Sequence, residues 1–168
     1  LDGLQNALNQ ATGVDAALAY DSQVRGLGAY SKSAAELTAQ LARLKEIAKL
    51  PGLGLGEVRQ GVLSMEAAGL SAQQAESVLM SFGNALGLVG KGKSDLQGVT
   101  LAITQIATKG KLMGQELNQL AERTPQVRQA LIRAVGTADT EEIQKLGSGC
   151  KQAIMRISNE LAKLPKMS

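Results

Sequence analysis

The sequence contains no histidine, and Cys150 is the single cysteine among its 168 residues. The first absence removes the commonest general base and the commonest metal ligand of proteins. A Ser–His or Cys–His nucleophile pair therefore cannot be built from this chain. The lone cysteine excludes an internal disulfide. Because it precedes the apolar positions Ile154, Ile157 and Leu161 of a helical pattern, we expect a buried thiol.

Aromatic residues are nearly as scarce, since tryptophan is absent and Tyr20, Tyr30 and Phe82 are the only rings. The core must therefore be built from Leu, Ile, Val, Met and Ala. Long apolar runs are missing as well. The most apolar stretch, residues 78–89, is too short to span a bilayer and is interrupted by polar residues and glycines. We predict no membrane contact from this segment.

Charge of one sign is not concentrated anywhere along the chain. The 18 basic and 15 acidic residues give a net charge of +3 and are interspersed. The dense basic stripe of a nucleic-acid binder is missing, so we expect DNA contact to be weak or indirect. Two basic turns, Lys91–Gly92–Lys93 and Lys109–Gly110–Lys111, could contact phosphates, although a lysine near a helix C-terminus is also favourable for the helix dipole. The dipole role is favoured for the first turn, and both roles stay open for the second.

The sequence does contain many signals for the start and the end of helices. Polar caps, apolar spacings of three and four, and terminal Gly or Pro recur along the chain, whereas the alternation of a strand does not. Ser33 and Glu36 have the spacing of a capping box, and Ser71 and Gln74 open another helix. We predict an all-α fold, a compact module of short antiparallel helices joined by Gly/Pro corners. The apolar faces are predicted to contain Leu37, Leu41, Leu44, Ile47 and Ala48; Ala75, Val78, Leu79, Phe82 and Leu86; Leu96, Val99, Ile103 and Ile106; Val127, Ala130, Leu131, Ala134 and Val135; and Ile154, Ile157, Leu161 and Leu164.

Glycine and proline mark the predicted helix ends. Helices are expected over residues 57–68, closed by a left-handed Gly69, and from Ser94, which caps the helix beginning at Asp95. Further breaks are predicted at Gly26 and Gly28, at Pro51, at Gly136, and at Gly147 and Gly149, with a helix starting at Thr140.

The glycine-rich segment Gly52–Gly56 is the one loop that resembles a phosphate cradle. A nucleotide-binding loop requires a preceding strand and a defined spacing, and here a helix precedes the loop. The pattern favours a hinge. Acid/base catalysis by paired carboxylates is also disfavoured, because the candidates lie on polar faces where glutamate is usually solvated. These candidates are Glu116, Glu122, Glu141 and Glu142. We therefore predict that the segment is not an enzyme and holds no cofactor.

The segment Gln105–Leu131 is predicted to form a fixed corner. Gly110 can adopt a left-handed turn, and Pro125 suits the first turn of a helix capped by Thr124. The short helix between them must dock to be stable, with Leu117 and Leu120 as anchors. The corner and its amide-rich outer face are a candidate contact with a partner, although plain solvated surface is an equal alternative. The candidate residues are Lys109, Gly110, Lys111, Gln115, Asn118, Gln119, Glu122 and Pro125.

Seven short motifs occur in order along residues 37–147. They are Lys49–Leu50–Pro51–Gly52–Leu53, Ala68–Gly69–Leu70–Ser71, Phe82–Gly83–Asn84–Ala85, Ile106–Ala107, Lys109–Gly110–Lys111, Glu116–Leu117–Asn118–Gln119 and Thr124–Pro125–Gln126–Val127. This ordered set resembles the tape measure domain of tail tape measure proteins from tailed bacteriophages and prophages. Each motif alone is weak, because caps and Ala-rich turns recur in many proteins, and the N-terminal segment aligns poorly.

The resemblance implies a structural role in tail assembly, in setting tail length and in DNA ejection through the tail. It implies a location in the tube lumen of the virion tail, and in the host cytoplasm during assembly. Tail tube and tail tip proteins, a helical oligomer of the chain itself and tail assembly chaperones are the implied partners. The alternative is a helical regulatory or nucleic-acid-binding module.

The predicted organisation has three parts. Residues 1–32 form a helical N-terminal segment, residues 33–147 form the tape-measure-like domain, and residues 148–168 form a C-terminal helix leading to the rest of a longer protein. Because the helices are cut about every dozen residues, we expect a jointed module attached to a ruler rather than the ruler itself, which would be a sustained coiled coil.

Overall fold

The computed structural model describes residues 19–50, 52–109, 114–136 and 150–165. Within these ranges every regular element is an α-helix and none is a strand, so the all-α prediction is confirmed. The helices are α1 (19–30), α2 (Ala34–Ile47), α3 (Leu55–Ala67), α4 (Ala72–Leu88), α5 (Lys93–Lys109), α6 (Gly114–Arg123), α7 (Gln126–Val135) and α8 (Cys150–Leu161).

Helix α4 lies at the centre of the module. It packs against α2, α3, α5 and α8, and its residues from 81 to 86 are all buried. From α2 to α7, each helix also packs against the next helix along the chain, as the short connections predict. Helix α8, the last described helix, packs on α4, α5 and α7. The result is one continuous aliphatic core with a single ring in it, Phe82.

The predicted apolar faces are largely confirmed, because helical spacing alone decides which side chains point inward. Fully buried positions occur on every helix from α2 to α8. A smaller set is only partly buried, namely Leu37, Leu41, Ala48, Ala134 and Leu164. The side chains of Val135 and Cys150 lie outside the described residues, so burial of the thiol stays a prediction.

Two serine caps begin helices as predicted. Ser33 Oγ accepts the backbone N–H of Glu36 at 3.1 Å, and Ser71 forms a complete capping box with Gln74. The first cap departs from the box in one respect. The carboxylate of Glu36 accepts the backbone N–H of Lys32 at 2.9 Å rather than that of the cap residue.

Helices α3 and α4 end in the same hydrogen-bonded motif. Gly69, at φ +105°, donates to Glu66 O, while the N–H of Leu70 reaches Met65 O at 3.0 Å. Gly90, at φ +75°, is the equivalent glycine after α4. This pair of bonds satisfies carbonyls that the helix end would leave open. The predicted left-handed turn at Gly69 is therefore confirmed.

Gly69→Ala is expected to lower the free energy of unfolding by about 1–2 kcal/mol, because a Cβ is strained at positive φ. Gly56→Ala is the matched control. Gly56 lies in the first turn of α3, and an added Cβ there would meet nothing within 4 Å. The control is expected to be neutral or stabilising by up to about 0.5 kcal/mol. Urea denaturation of both variants checks the pair, and equal effects would contradict it.

Several predicted helix boundaries are wrong. Gly26 and Gly28 lie inside α1 rather than breaking it. A Cβ at Gly26 would come within 2.8 Å of Leu63 Cδ2, so the glycine allows α1 to approach α3 closely. Helix α5 begins at Lys93, so Ser94 lies in its first turn instead of capping it.

The predicted hinge is also shorter than expected. Helix α2 ends at Ile47, before Pro51, and α3 begins at Leu55, so that Gly56 is helical. Of the three glycines in this segment, only two belong to the turn: Gly52, with φ +81°, and Gly54, the N-cap of α3. The predicted features at residues 1–18, Gly110, Thr140, Gly147 and Gly149 lie outside the described residues.

The three-part organisation stays a prediction. Helix α1 joins α3 through Gln23, whose Nε2 donates to Gly56 O at 3.1 Å. At the other end, Asn84 Nδ2 of α4 donates to Pro165 O at 2.9 Å. The elements on both sides of the predicted middle part therefore contact its helices.

A candidate contact surface at the α5–α6–α7 corner

Helix α6 is the short element on which the candidate surface stands. Its 10 residues are too few to be stable alone in water, so docking must hold it. Leu117 is 3% exposed and Leu120 is 1% exposed, and α6 packs on α5 and α7. The two predicted anchors are confirmed.

An ion pair between an exposed lysine and a buried glutamate joins the last turn of α5 to the first turn of α6. Lys109 Nζ lies 2.6 Å from Glu116 Oε1, and Glu116 is only 2% exposed. The hydrogen bond from Lys109 lowers the pKa of Glu116 more than burial raises it. The expectation that Glu116 is solvated is therefore wrong. Its spacing of four from Leu120, which brings both side chains to one face, is the signal that indicates burial.

The last turn of α6 is tied to the start of α5. Arg123 Nη1 lies 3.3 Å from Asp95 Oδ1, and its guanidinium occupies the space that a Cβ on Gly98 would take. Lys91 Nζ donates to Glu122 O at 2.9 Å. A cation at the carbonyl end of a helix is favourable for the dipole, and here Lys91 lies at the end of α6 rather than at that of its own preceding helix, α4. Lys109 and Lys91 are thus both engaged within the chain.

The junction between α6 and α7 differs from the prediction. Helix α7 begins at Gln126 after Pro125, and no side chain caps it. Thr124 is fully buried, and its Oγ1 has no hydrogen-bond partner among the described residues. Its carbonyl instead accepts the N–H of Val127 at 2.9 Å, which turns the chain without a side-chain cap. Thr124 as an N-cap is therefore a wrong prediction.

The outer face of α6 carries the predicted amides. Gln115, Asn118 and Glu122 are exposed and share one face by their spacing of three and four. Gln119, beside them, is partly buried. Pro125 is exposed just beyond the helix. The structure thus brings five of the candidate residues to one end of the module, whereas Lys109 is directed to Glu116. Gly110 and Lys111 lie outside the described residues.

The glycine-rich turn before α3 does not resemble an anion site. The carboxylate of Glu57 occupies the space that a Cβ on Gly54 would take, with the Lys93 side chain beside it. A negative group at this turn opposes a phosphate. Across the ranges 19–50, 52–109, 114–136 and 150–165, no three acidic or cysteine side chains gather as a metal site would require.

Membrane insertion has no candidate element in the described part of the chain. No helix there combines the length and the apolar character that a bilayer span demands.

Comparison with known proteins gives one finding. The family model described as "Tape measure protein" matches residues 9–164, which is nearly the whole chain. This range extends beyond residues 37–147, where the resemblance in sequence was recognised, and it includes both α1 and α8. No curated protein and no solved structure matches the chain.

Proposed function

Because this chain belongs to the tape measure protein family, whose members are structural components of phage tails, we propose that it is an assembly module contributing to tail assembly, tail-length determination and DNA ejection. The match over residues 9–164 carries the proposal. The module acts from inside the tail tube of the virion, and it is recruited in the host cytoplasm. Enzymatic activity is not part of the proposed role.

The dimensions of the helices support a module rather than a measuring shaft. Helices α4 and α5 contain 17 residues each. Such a helix is ~26 Å long at 1.5 Å per residue. A shaft must extend along the tube that it measures, whereas these helices fold back on one another around α4. Length would thus be set by other parts of the full protein, and this module would join the shaft to the assembling tail.

The proposed partners are tail tube and tail tip proteins, other copies of this chain in a helical oligomer, and tail assembly chaperones. The outer face of α6 is the proposed contact with them. Amides can hydrogen-bond a partner without the desolvation cost of dense charge. DNA contact is proposed to be weak or indirect, because Lys91 and Lys109 already bind groups of this chain.

The location and the length-setting role are tested in the phage itself. Tails purified from assembled particles are expected to contain peptides of this chain by mass spectrometry. Shortening the remainder of the full-length protein should shorten the tail, whereas disrupting this module should stop assembly. Absence of the chain from purified tails would overturn the proposal, and so would tails of normal number and length without the module.

The contact surface is tested by Asn118→Ala combined with Gln119→Ala in the full-length protein. We expect an unchanged melting temperature and about tenfold fewer assembled tails by electron microscopy, the effect of losing about 1.4 kcal/mol of contact. Gln152→Ala with Asn159→Ala on α8 is the control, because it removes one glutamine and one asparagine from the surface of another helix. Normal tail assembly by the α6 variant would show that this face is plain solvated surface.

A further inference from the structure

A second surface feature, separate from the corner, is a groove beside α2. It has a volume of about 840 Å³ and lies between the end of α1, one face of α2 and the turn joining α3 to α4. None of the described lining residues belongs to α6 or to the junction between α6 and α7. We name it the α2–α4 groove.

The interior of the α2–α4 groove contains a carboxylate with one unused oxygen. Glu66 is 6% exposed, and its Oε1 accepts a hydrogen bond from the buried Gln40 at 3.0 Å. Its Oε2 is buried without a hydrogen-bond partner among the described residues. Burial raises the pKa of Glu66, and the negative charge of Glu76 raises it further. Such an acceptor favours a donor that carries positive charge.

Lys32 and Arg43 are the basic residues among the described lining of the groove, and the side chain of neither forms a hydrogen bond or ion pair with Glu66. Arg43 Nε and Nη2 bind the two oxygens of Glu76 at 2.6 and 3.3 Å, so this guanidinium is occupied. Glu36, on the groove's rim, accepts the backbone N–H of Lys32. Glu76 is 9% exposed and adds negative charge near Glu66. The groove therefore contains two buried glutamates, and only one of them is paired with an arginine.

Apolar surface suited to an aliphatic stem flanks the carboxylate. Tyr30 lies at the rim and is 53% exposed, and Leu70 forms part of the wall and is 4% exposed. A guanidinium can stack on a tyrosine ring and donate to a carboxylate at the same time. The methylene groups of an arginine would cover the apolar wall, as long cationic side chains commonly do.

We propose that the α2–α4 groove binds an arginine side chain of a partner protein, with its guanidinium between the carboxylate of Glu66 and the ring of Tyr30 and its stem against Leu70. The Glu66 side chain turns on binding to present its buried Oε2. A metal ion fits less well, because the neighbouring carboxylate is already occupied by Arg43. This site is independent of the contact surface on α6 and does not depend on the proposed role in the tail.

The experiment uses a pentapeptide with a central arginine and four alanines, blocked at both ends. The same peptide with citrulline, which has nearly the same shape without the charge, is the control ligand. Amide shifts of the chain, followed by NMR during titration, are expected to move at α2 and at the α3–α4 turn. The citrulline peptide should bind at least about tenfold more weakly, as loss of a charge-assisted hydrogen bond requires.

Two variants separate the site from the general charge of the surface. Glu66→Gln is expected to weaken arginine binding about tenfold, and Tyr30→Ala about threefold, which corresponds to a lost cation–π contact. Tyr30 is exposed, so its variant retains the fold. Glu122→Gln, at the exposed carboxylate on α6, should leave binding unchanged.

Three outcomes would overturn the proposal. The first is equal binding of the arginine and citrulline peptides, and the second is unchanged binding by a folded Glu66→Gln variant. The third is a set of saturating shifts at the same residues with magnesium chloride alone, which would identify a metal site. None of these outcomes bears on whether the chain assembles into tails, so the two proposals fail separately.

Discussion

Phe82→Ala is expected to lower the free energy of unfolding by about 3–5 kcal/mol, the usual cost of removing a buried ring. Phe82 is 1% exposed and lies in the middle of α4, the helix that contacts α2, α3, α5 and α8. The cavity cannot be filled by another ring, since the described core contains no second aromatic side chain. Urea denaturation followed by far-UV circular dichroism measures the loss.

Met80→Ala is the control for the Phe82 prediction. Met80 lies two residues earlier on α4 and is 42% exposed. Its truncation should change stability by no more than about 0.5 kcal/mol. If both variants lost the same stability, the cost would come from the helix itself, and the central position of Phe82 would not explain it.

Lys109→Met is expected to lower the free energy of unfolding by about 1–3 kcal/mol, because it leaves the buried carboxylate of Glu116 without its donor. The lysine itself is half exposed, with 47% of its side chain accessible, so its own burial contributes little. The double variant Lys109→Met with Glu116→Gln should recover most of the loss, since a neutral amide needs no counter-charge. Chemical denaturation of the two variants provides the measurement.

An exposed ion pair serves as the control for Lys109. Lys49 and Glu46 lie 2.8 Å apart, and both side chains are about two-thirds exposed or more. Lys49→Met should cost no more than about 0.5 kcal/mol, as is usual for surface pairs. Equal losses from Lys49→Met and Lys109→Met would show that burial of Glu116 has no energetic consequence.

The Lys109–Glu116 pair makes the stability of the fold depend on pH, and the sign of this dependence is defined. Lys109 lowers the pKa of Glu116 in the folded state below the ordinary value of 4.5. The stabilisation is therefore complete above pH 4.5 and is lost as the pH falls through the lower folded value. As the pH falls through this acidic range, the melting temperature of the wild-type protein should fall more than that of the Lys109→Met, Glu116→Gln variant. Equal changes of melting temperature with pH in the two proteins would contradict the stabilising role of the pair.

Helical spacing predicted the core because it requires only local information. Val78, Leu79 and Phe82 face inward on α4 for the same reason that they recur at intervals of one, three and four. The predicted anchors of α6, Leu117 and Leu120, follow from the same rule. These features do not depend on which other helix covers them.

The errors at helix boundaries arise from tertiary contacts. A glycine inside a helix costs about 1 kcal/mol against alanine, so Gly26 and Gly28 indicate a break when they are considered alone. The structure offsets this cost by letting α1 approach Leu63 on α3. Nothing near Gly26 in the sequence identifies that distant neighbour.

The buried carboxylates were missed for a related reason. Glu66 receives its hydrogen bond from Gln40, which is 26 residues earlier on another helix. Glu116 is paired with Lys109, which lies on the preceding helix α5. Glutamate is usually exposed, and the burial of these two becomes apparent only when the partner helix is present. The outer amides of α6 were predicted correctly as exposed at Gln115 and Asn118 because they need no partner.

The distribution of the three aromatic rings also determines how this protein responds to light. Tryptophan is absent, so the ultraviolet emission comes from Tyr20 and Tyr30, which are 47% and 53% exposed in the folded state. Tyr20 lies under the guanidinium of Arg59, 4.7 Å from its ring centre, whereas no cation–ring contact with Tyr30 is found among the described residues. A ligand that covers the ring of Tyr30 would change the emission of one of only two tyrosines, and its binding would therefore be seen by unlabelled fluorescence.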